Sequence, residues 1–204
     1  LLQQALPVCD VRPLDLYPNF EMLPVWDLKV RRPFGEWDVV ALFNWTEKEA
    51  PVGFAFAELG LDPNAEYALD EFWTQTFQGV RKGRFEMPVP GHGVRLLAVH
   101  RAQPRPQFLS SDRHVTQGAV ELTRLAWDGA AQSLSGSVKA VGGHPLTLRF
   151  RRPAGFASPE VKAGAGATCR VAAAGDDVVS VTLQSPATQA VPFTLAWTGA
   201  SPIH

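Results

Sequence analysis

The sequence predicts an all-β protein built of two consecutive antiparallel β-sandwich modules, immunoglobulin-like or jelly-roll-like in kind. Two observations carry this expectation. Apolar residues alternate with polar or small ones from about residue 22 onward, and turn chemistry interrupts the alternation at short intervals. Composition supplies a third: Gly 17 and Pro 17 together exceed the usual share of roughly 12% of residues, as suits a chain punctuated by many turns.

In residues 38–45, Val39, Ala41, Phe43 and Trp45 fall on one face, with Val40 and Leu42 on the other. A strand apolar on both sides belongs in the middle of a sheet. Val52, Phe54 and Phe56 alternate with Gly53, Ala55 and Ala57, and residues 94–99 read as a second well-buried strand. Between them lie strands over 66–73, 76–80 and 84–89, with turns at Asp62-Pro63-Asn64, Lys82-Gly83 and Pro90-Gly91. Residues 101–106 carry Pro104 and Pro106 without periodicity, which marks a module boundary. The expected organisation is an entry segment over 1–21, a first sandwich over 22–103 and a second over 104–204.

Past the boundary the alternation sharpens. Leu134, Gly136, Val138 and Ala140 oppose Ser135, Ser137 and Lys139, and Leu146, Leu148 and Phe150 oppose Thr147, Arg149 and Arg151. Val179, Val181 and Leu183 repeat the pattern, as do Val191, Phe193, Leu195 and Trp197. About seven strands fit after residue 116, with a hairpin turn at Trp127-Asp128-Gly129. Only the start differs. Residues 1–6 are good helix formers that stop at Pro7; they read either as a frayed tail or as the last turn of a helix from a preceding domain.

Lys+Arg 19 against Asp+Glu 20 leaves a net charge of -1, which offers no clustered basic surface for nucleic acid or an anionic membrane. No apolar run reaches the ~20 residues that span a bilayer. Cys9 and Cys169 match no metal or redox spacing and are expected to be free thiols. Leu1 rather than Met at the start reads as a piece of a longer protein, so the compartment stays open.

Catalytic constellations are not expected. Asp70 and Glu71 are strand neighbours and point to opposite faces, while Asp176-Asp177 follows Gly175 and reads as a turn. His92, His100, His114 and His144 are scattered without ligand spacing; His92 is a turn residue and His114 a candidate for a hydrogen-bonded corner. Nucleophile elbows, phosphate loops and paired Cys-x-x-Cys motifs are missing, and no cofactor is expected. Asn44-Trp45-Thr46 fits a glycosylation triplet but falls in a buried strand. The aromatics Trp26, Trp37, Trp45, Phe72, Trp73 and Phe77 concentrate in the first module. Core or domain-interface packing is their expected use, and Trp73 and Trp26 are the candidates for stacking against carbohydrate.

Several stretches form an ordered set: Arg12-Pro13-Leu14-Asp15-Leu16-Tyr17 with Leu23-Pro24-Val25-Trp26, residues 37–45, Leu69-Asp70-Glu71-Phe72-Trp73, residues 91–98, and Arg113-His114-Val115-Thr116-Gln117-Gly118. Together they resemble the C-terminal part of α-galactosidase-like glycoside hydrolases, whose catalytic domain is a (β/α)8 barrel followed by a β-sandwich. The resemblance covers most of residues 12–118. It carries over no catalytic aspartate, because those belong to barrel strands and no position here matches them. It implies a non-catalytic accessory region that packs against an upstream catalytic barrel. The interface expected on that basis comprises Leu14, Tyr17, Trp26, Phe72 and Trp73, with part of residues 8–26 and the Phe72-Trp73 edge exposed. The alternatives are a stand-alone carbohydrate-binding module and a structural or adhesion sandwich tandem, which fold alone does not separate.

Overall fold

A computed structural model describes residues 11–13, by their backbone, and residues 23–198. Leu14, Tyr17, Cys9 and the helix-forming residues 1–6 lie outside the described residues. Among the described residues every regular element is a β-strand, arranged in four antiparallel sheets. The chain divides into two compact units, one built around Glu36–Ala102 and the other around residues 103 onward together with Arg32–Gly35.

The first unit contains β1 (Val11–Pro13), β2 (Val25–Arg32), β3 (Gly35–Phe43), β4 (Ala50–Ala55), β5 (Glu66–Glu71), β6 (Thr76–Lys82), β7 (Arg84–Val89) and β8 (Val94–Arg101). Six of these form one sheet in the order β1-β2-β3-β8-β5-β6, and β4 and β7 pair as a second layer. β3 and β8 are central, as their apolar character on both faces predicts. Period-two alternation sends Val25, Val40, Leu42, Tyr67, Leu69, Leu97 and Val99 to one face, where they meet Phe54, Phe56, Leu59, Phe85 and Val89. Phe56 lies just past the end of β4, in a turn, and stacks on Tyr67 with centroids 4.6 Å apart. Each fully buried side chain of this size contributes about 1.5–3 kcal/mol.

The same face also encloses charge. Lys29 Nζ lies 2.9 Å from Asp27 Oδ2 and 2.6 Å from Asp38 Oδ2, and it donates to the Leu59 carbonyl. Asp27 is fully buried and Asp38 nearly so. The Lys29 ammonium thus bridges two buried carboxylates.

The second unit contains β9 (Gln107–Ser111), β10 (Leu122–Asp128), β11 (Ser133–Ala140), β12 (Pro145–Arg151), β13 (Glu160–Ala163), β14 (Thr168–Ala173), β15 (Val178–Gln184) and β16 (Gln189–Ala196). Two four-stranded sheets form, β10-β11-β16-β13 and β14-β15-β12-β9. Their inner faces close on Leu134, Val138, Leu146, Leu148, Phe150, Val181, Val191, Phe193 and Leu195. Seven strands follow residue 116, the number expected, and β11, β12, β15 and β16 are those that the alternation places. β9 is additional: its five residues are buried on both faces and follow Pro106, so it shows neither length nor alternation. Gly136 is required by packing. A Cβ there would clash with the edge of the Phe193 ring and lie 2.8 Å from the Arg124 carbonyl oxygen.

Two outcomes are expected in urea denaturation. Lys29→Met removes the ammonium that bridges two enclosed carboxylates and lowers stability by about 3–5 kcal/mol. Gly136→Ala forces Phe193 off its seat and lowers stability by about 1–3 kcal/mol.

Candidate functional site

The acidic pairs have structural work. Glu71 is fully buried at the end of β5; its Oε2 accepts from Thr74 N at 2.7 Å and Thr74 Oγ1 at 2.6 Å, and its Oε1 from Leu96 N at 3.4 Å. Gln75, at φ +53°, donates its side-chain amide to the Phe72 carbonyl at 2.7 Å. This clamp fixes the turn at residues 72–75. Asp128 Oδ1 accepts from Ala130 N and Ala131 N and so shapes the predicted hairpin turn. Asn44 follows the end of β3 and is buried. Its amide donates to the Lys48 and Val89 carbonyls while its oxygen accepts from Thr46 N and Thr46 Oγ1. With all its polar atoms engaged, the asparagine of the triplet is a loop organiser.

The histidines are also dispersed. His92 sits in a turn at φ +53°, 3.2 Å from Glu47 Oε2. His100 is buried and stacked on Trp37 with centroids 5.4 Å apart. His114 Nδ1 lies 2.9 Å from Thr116 Oγ1, forming the corner its sequence context predicts. Cys169 is a free, half-buried thiol, 3.6 Å from the Val161 carbonyl.

The aromatics separate into two groups. Trp37 is buried, and Phe72 is buried as well at 9% exposure, so the expected exposed Phe72-Trp73 edge consists of Trp73 alone. Phe72 continues the strand pairing, its N donating to the Leu96 carbonyl, and Trp73 lies edge-on against its ring, 4.9 Å away. Trp73 is 54% exposed, Trp45 44% and Trp26 36%. Trp26 Nε1 and Trp45 Nε1 both donate to the carbonyl of Leu23, at 3.3 and 3.2 Å. One oxygen with two lone pairs therefore fixes two neighbouring indoles. Trp45 stacks on Phe43 with centroids 5.1 Å apart and planes 9° from parallel.

This apolar patch lies on the face of the six-stranded sheet turned away from the core described above. It includes half-buried Phe43, Val94 and Leu96 from paired positions of β3 and β8. Trp26 belongs to the expected interface. Alternation places Trp45 on the face of Val39 and Phe43, and the polar run Thr46-Glu47-Lys48-Glu49 after it marks the end of the strand, where its side chain reaches solvent.

Residues 33–99 match the family described as the alpha galactosidase C-terminal beta sandwich domain, the family that the sequence motifs resemble. Among solved structures, a β-L-arabinopyranosidase from Geobacillus stearothermophilus, in complex with arabinose, is 23% identical; the match covers 39% of this chain and 17% of that one, with TM-score 0.34. Alpha-galactosidase I from Mortierella vinacea is 20% identical over 39% of this chain and 21% of its own, with TM-score 0.34. An isomalto-dextranase from Arthrobacter globiformis T6, complexed with panose, is 14% identical over 92% of this chain and 39% of its own, with TM-score 0.36. No curated protein matches. The stretch of this chain that matches the arabinopyranosidase thus spans about a sixth of that enzyme's length.

Removing the clamp in Glu71→Ala is expected to free the turn at 72–75. Hydrogen exchange should accelerate most at the Thr74 and Leu96 amides, by the equivalent of about 1–3 kcal/mol of lost protection.

Proposed function

We propose that this chain is the non-catalytic C-terminal accessory region of a larger α-galactosidase-like glycoside hydrolase, and that it packs against and stabilises that enzyme's catalytic (β/α)8 barrel. The match of residues 33–99 to a C-terminal sandwich domain supports the reading. The observation that carries the packing role is the exposure of Trp26 and Trp45, which share the Leu23 carbonyl, and of Trp73.

Large apolar surface held open to water is unfavourable by about 25 cal/mol per Å². Monomeric proteins rarely keep it in contiguous patches unless a partner covers it. Here the rings are also held in place before any partner arrives. Two indoles share the Leu23 carbonyl, and a buried carboxylate fixes the turn that carries Trp73. Ordering such side chains beforehand reduces the entropy lost on association. A rigid aromatic surface of this kind suits a fixed interdomain contact.

An antibody raised against the chain is expected to detect a native protein several times larger than 22.2 kDa in its source. In that full-length protein, Trp26→Ser and Trp73→Ser should lower thermal stability and glycosidase yield, whereas the 204-residue chain alone should melt within a few degrees of its unsubstituted form. A native band near 22.2 kDa, with binding of oligosaccharides to the Trp26 and Trp73 surface, would favour the carbohydrate-binding alternative instead.

A further inference from the structure

The second unit carries a cleft that lies outside the aromatic patch and outside the stretch matched to the α-galactosidase sandwich. It is shallow and open to solvent, with a volume of about 430 Å³, and is lined by Asp112, Arg113, Val141, His144 and Pro145. Its two walls are the chain just after β9 and the turn between β11 and β12.

These walls are tied together at several points. Asp112 N donates to the Thr147 carbonyl, and Thr147 N donates to Asp112 Oδ1 at 2.9 Å. Arg113 Nη2 donates to the carbonyls of His144, at 3.3 Å, and Pro145, at 3.0 Å. The turn itself is anchored by His144 N on the Val141 carbonyl, Gly143 N on the Ser185 carbonyl and Gly142 N on Thr188 Oγ1. Gly143, at φ +75°, supplies the left-handed step that the turn requires.

The side chains on this rigid frame retain capacity for a ligand. Asp112 uses only Oδ1 in holding the frame. Arg113 uses only Nη2, and its Nη1 is enclosed without an acceptor. The imidazole of His144 is exposed and has no hydrogen bond that holds the fold. A carboxylate, a guanidinium and an imidazole therefore border one cleft beside the apolar surfaces of Val141, which is 43% exposed, and Pro145.

The adjacent charges of Asp112 and Arg113 cancel, so an ion of either sign meets a like charge on entering. A neutral molecule rich in hydroxyl groups meets none. Its hydroxyls donate to the Asp112 carboxylate and the His144 imidazole, while its C–H edge lies on Val141 and Pro145. We propose that this cleft is a binding site for a neutral sugar, gripped by Asp112 and His144 through vicinal hydroxyl groups. Recognition is by hydrogen bonding at a sugar edge, without an aromatic platform. The inference is independent of the barrel-packing reading, which concerns the other unit.

The test is an NMR titration of the 204-residue chain with D-galactose, L-arabinose and D-glucose, and separately with inorganic phosphate. The expected result is saturable amide shifts with at least one sugar, centred on residues 112–113 and 141–147. Two variants should weaken that binding about tenfold: His144→Ala, which removes an exposed side chain, and Asp112→Asn, which keeps an oxygen for the Thr147 amide. Trp73→Ser should leave it unchanged. The proposal is overturned if none of the sugars gives saturable shifts, if phosphate alone does, if the shifts map to Trp26 and Trp73, or if both cleft variants bind as the unsubstituted chain does.

Discussion

Side chains on a β-strand alternate between two faces, and each face needs something to cover it. In the first unit the β4–β7 layer meets one face of the six-stranded sheet, burying Val40, Leu42, Leu69 and Leu97 beneath four phenylalanine and leucine rings or chains from the other layer. The opposite face carries Trp26, Phe43 and Trp45 at one end. Every other feature of this unit is subordinate to that division, including the positions where charge is tolerated. Lys29 bridges Asp27 and Asp38 because both carboxylates are buried beside it while its own side chain is only partly exposed.

The polar residues that look most like chemistry in the sequence are mainly engaged in making loops rigid. Glu71 accepts from the backbone amides of Thr74 and Leu96, Asn44 holds the segment after β3, and Asp128 closes a hairpin. The consequence for function is indirect. These groups immobilise the loops that carry Trp73 and Trp45, as the proposed interdomain contact requires. Rigidity of this origin contributes to binding through the entropy that does not have to be lost.

The fold was largely legible because period-two alternation is a local signal. β3, β8, β11, β12, β15 and β16 could be read from apolar spacing, and Asp128, His92 and Gly175 marked turns by their own conformational preferences. β9 escaped that reading, since five residues buried on both faces have no period to detect. Phe72 was expected at an exposed edge and is instead buried. It continues the strand pairing through the bond from its amide to the Leu96 carbonyl, a partner on another strand.

What the sequence determined by itself was the fold class, the spacing of most strands, the resemblance to an α-galactosidase sandwich and the concentration of aromatics in the first unit. Each of these is encoded within a few neighbouring residues. What only the tertiary structure decided was which aromatics are exposed, that Leu23 holds two indoles at once, and that Asp112 and Arg113 share a cleft with His144. Those juxtapositions join residues about twenty to thirty positions apart through sheet register and loop closure. Strand pairing, a long-range choice settled by burial of the whole sheet, sets them, and no local pattern in the chain records it.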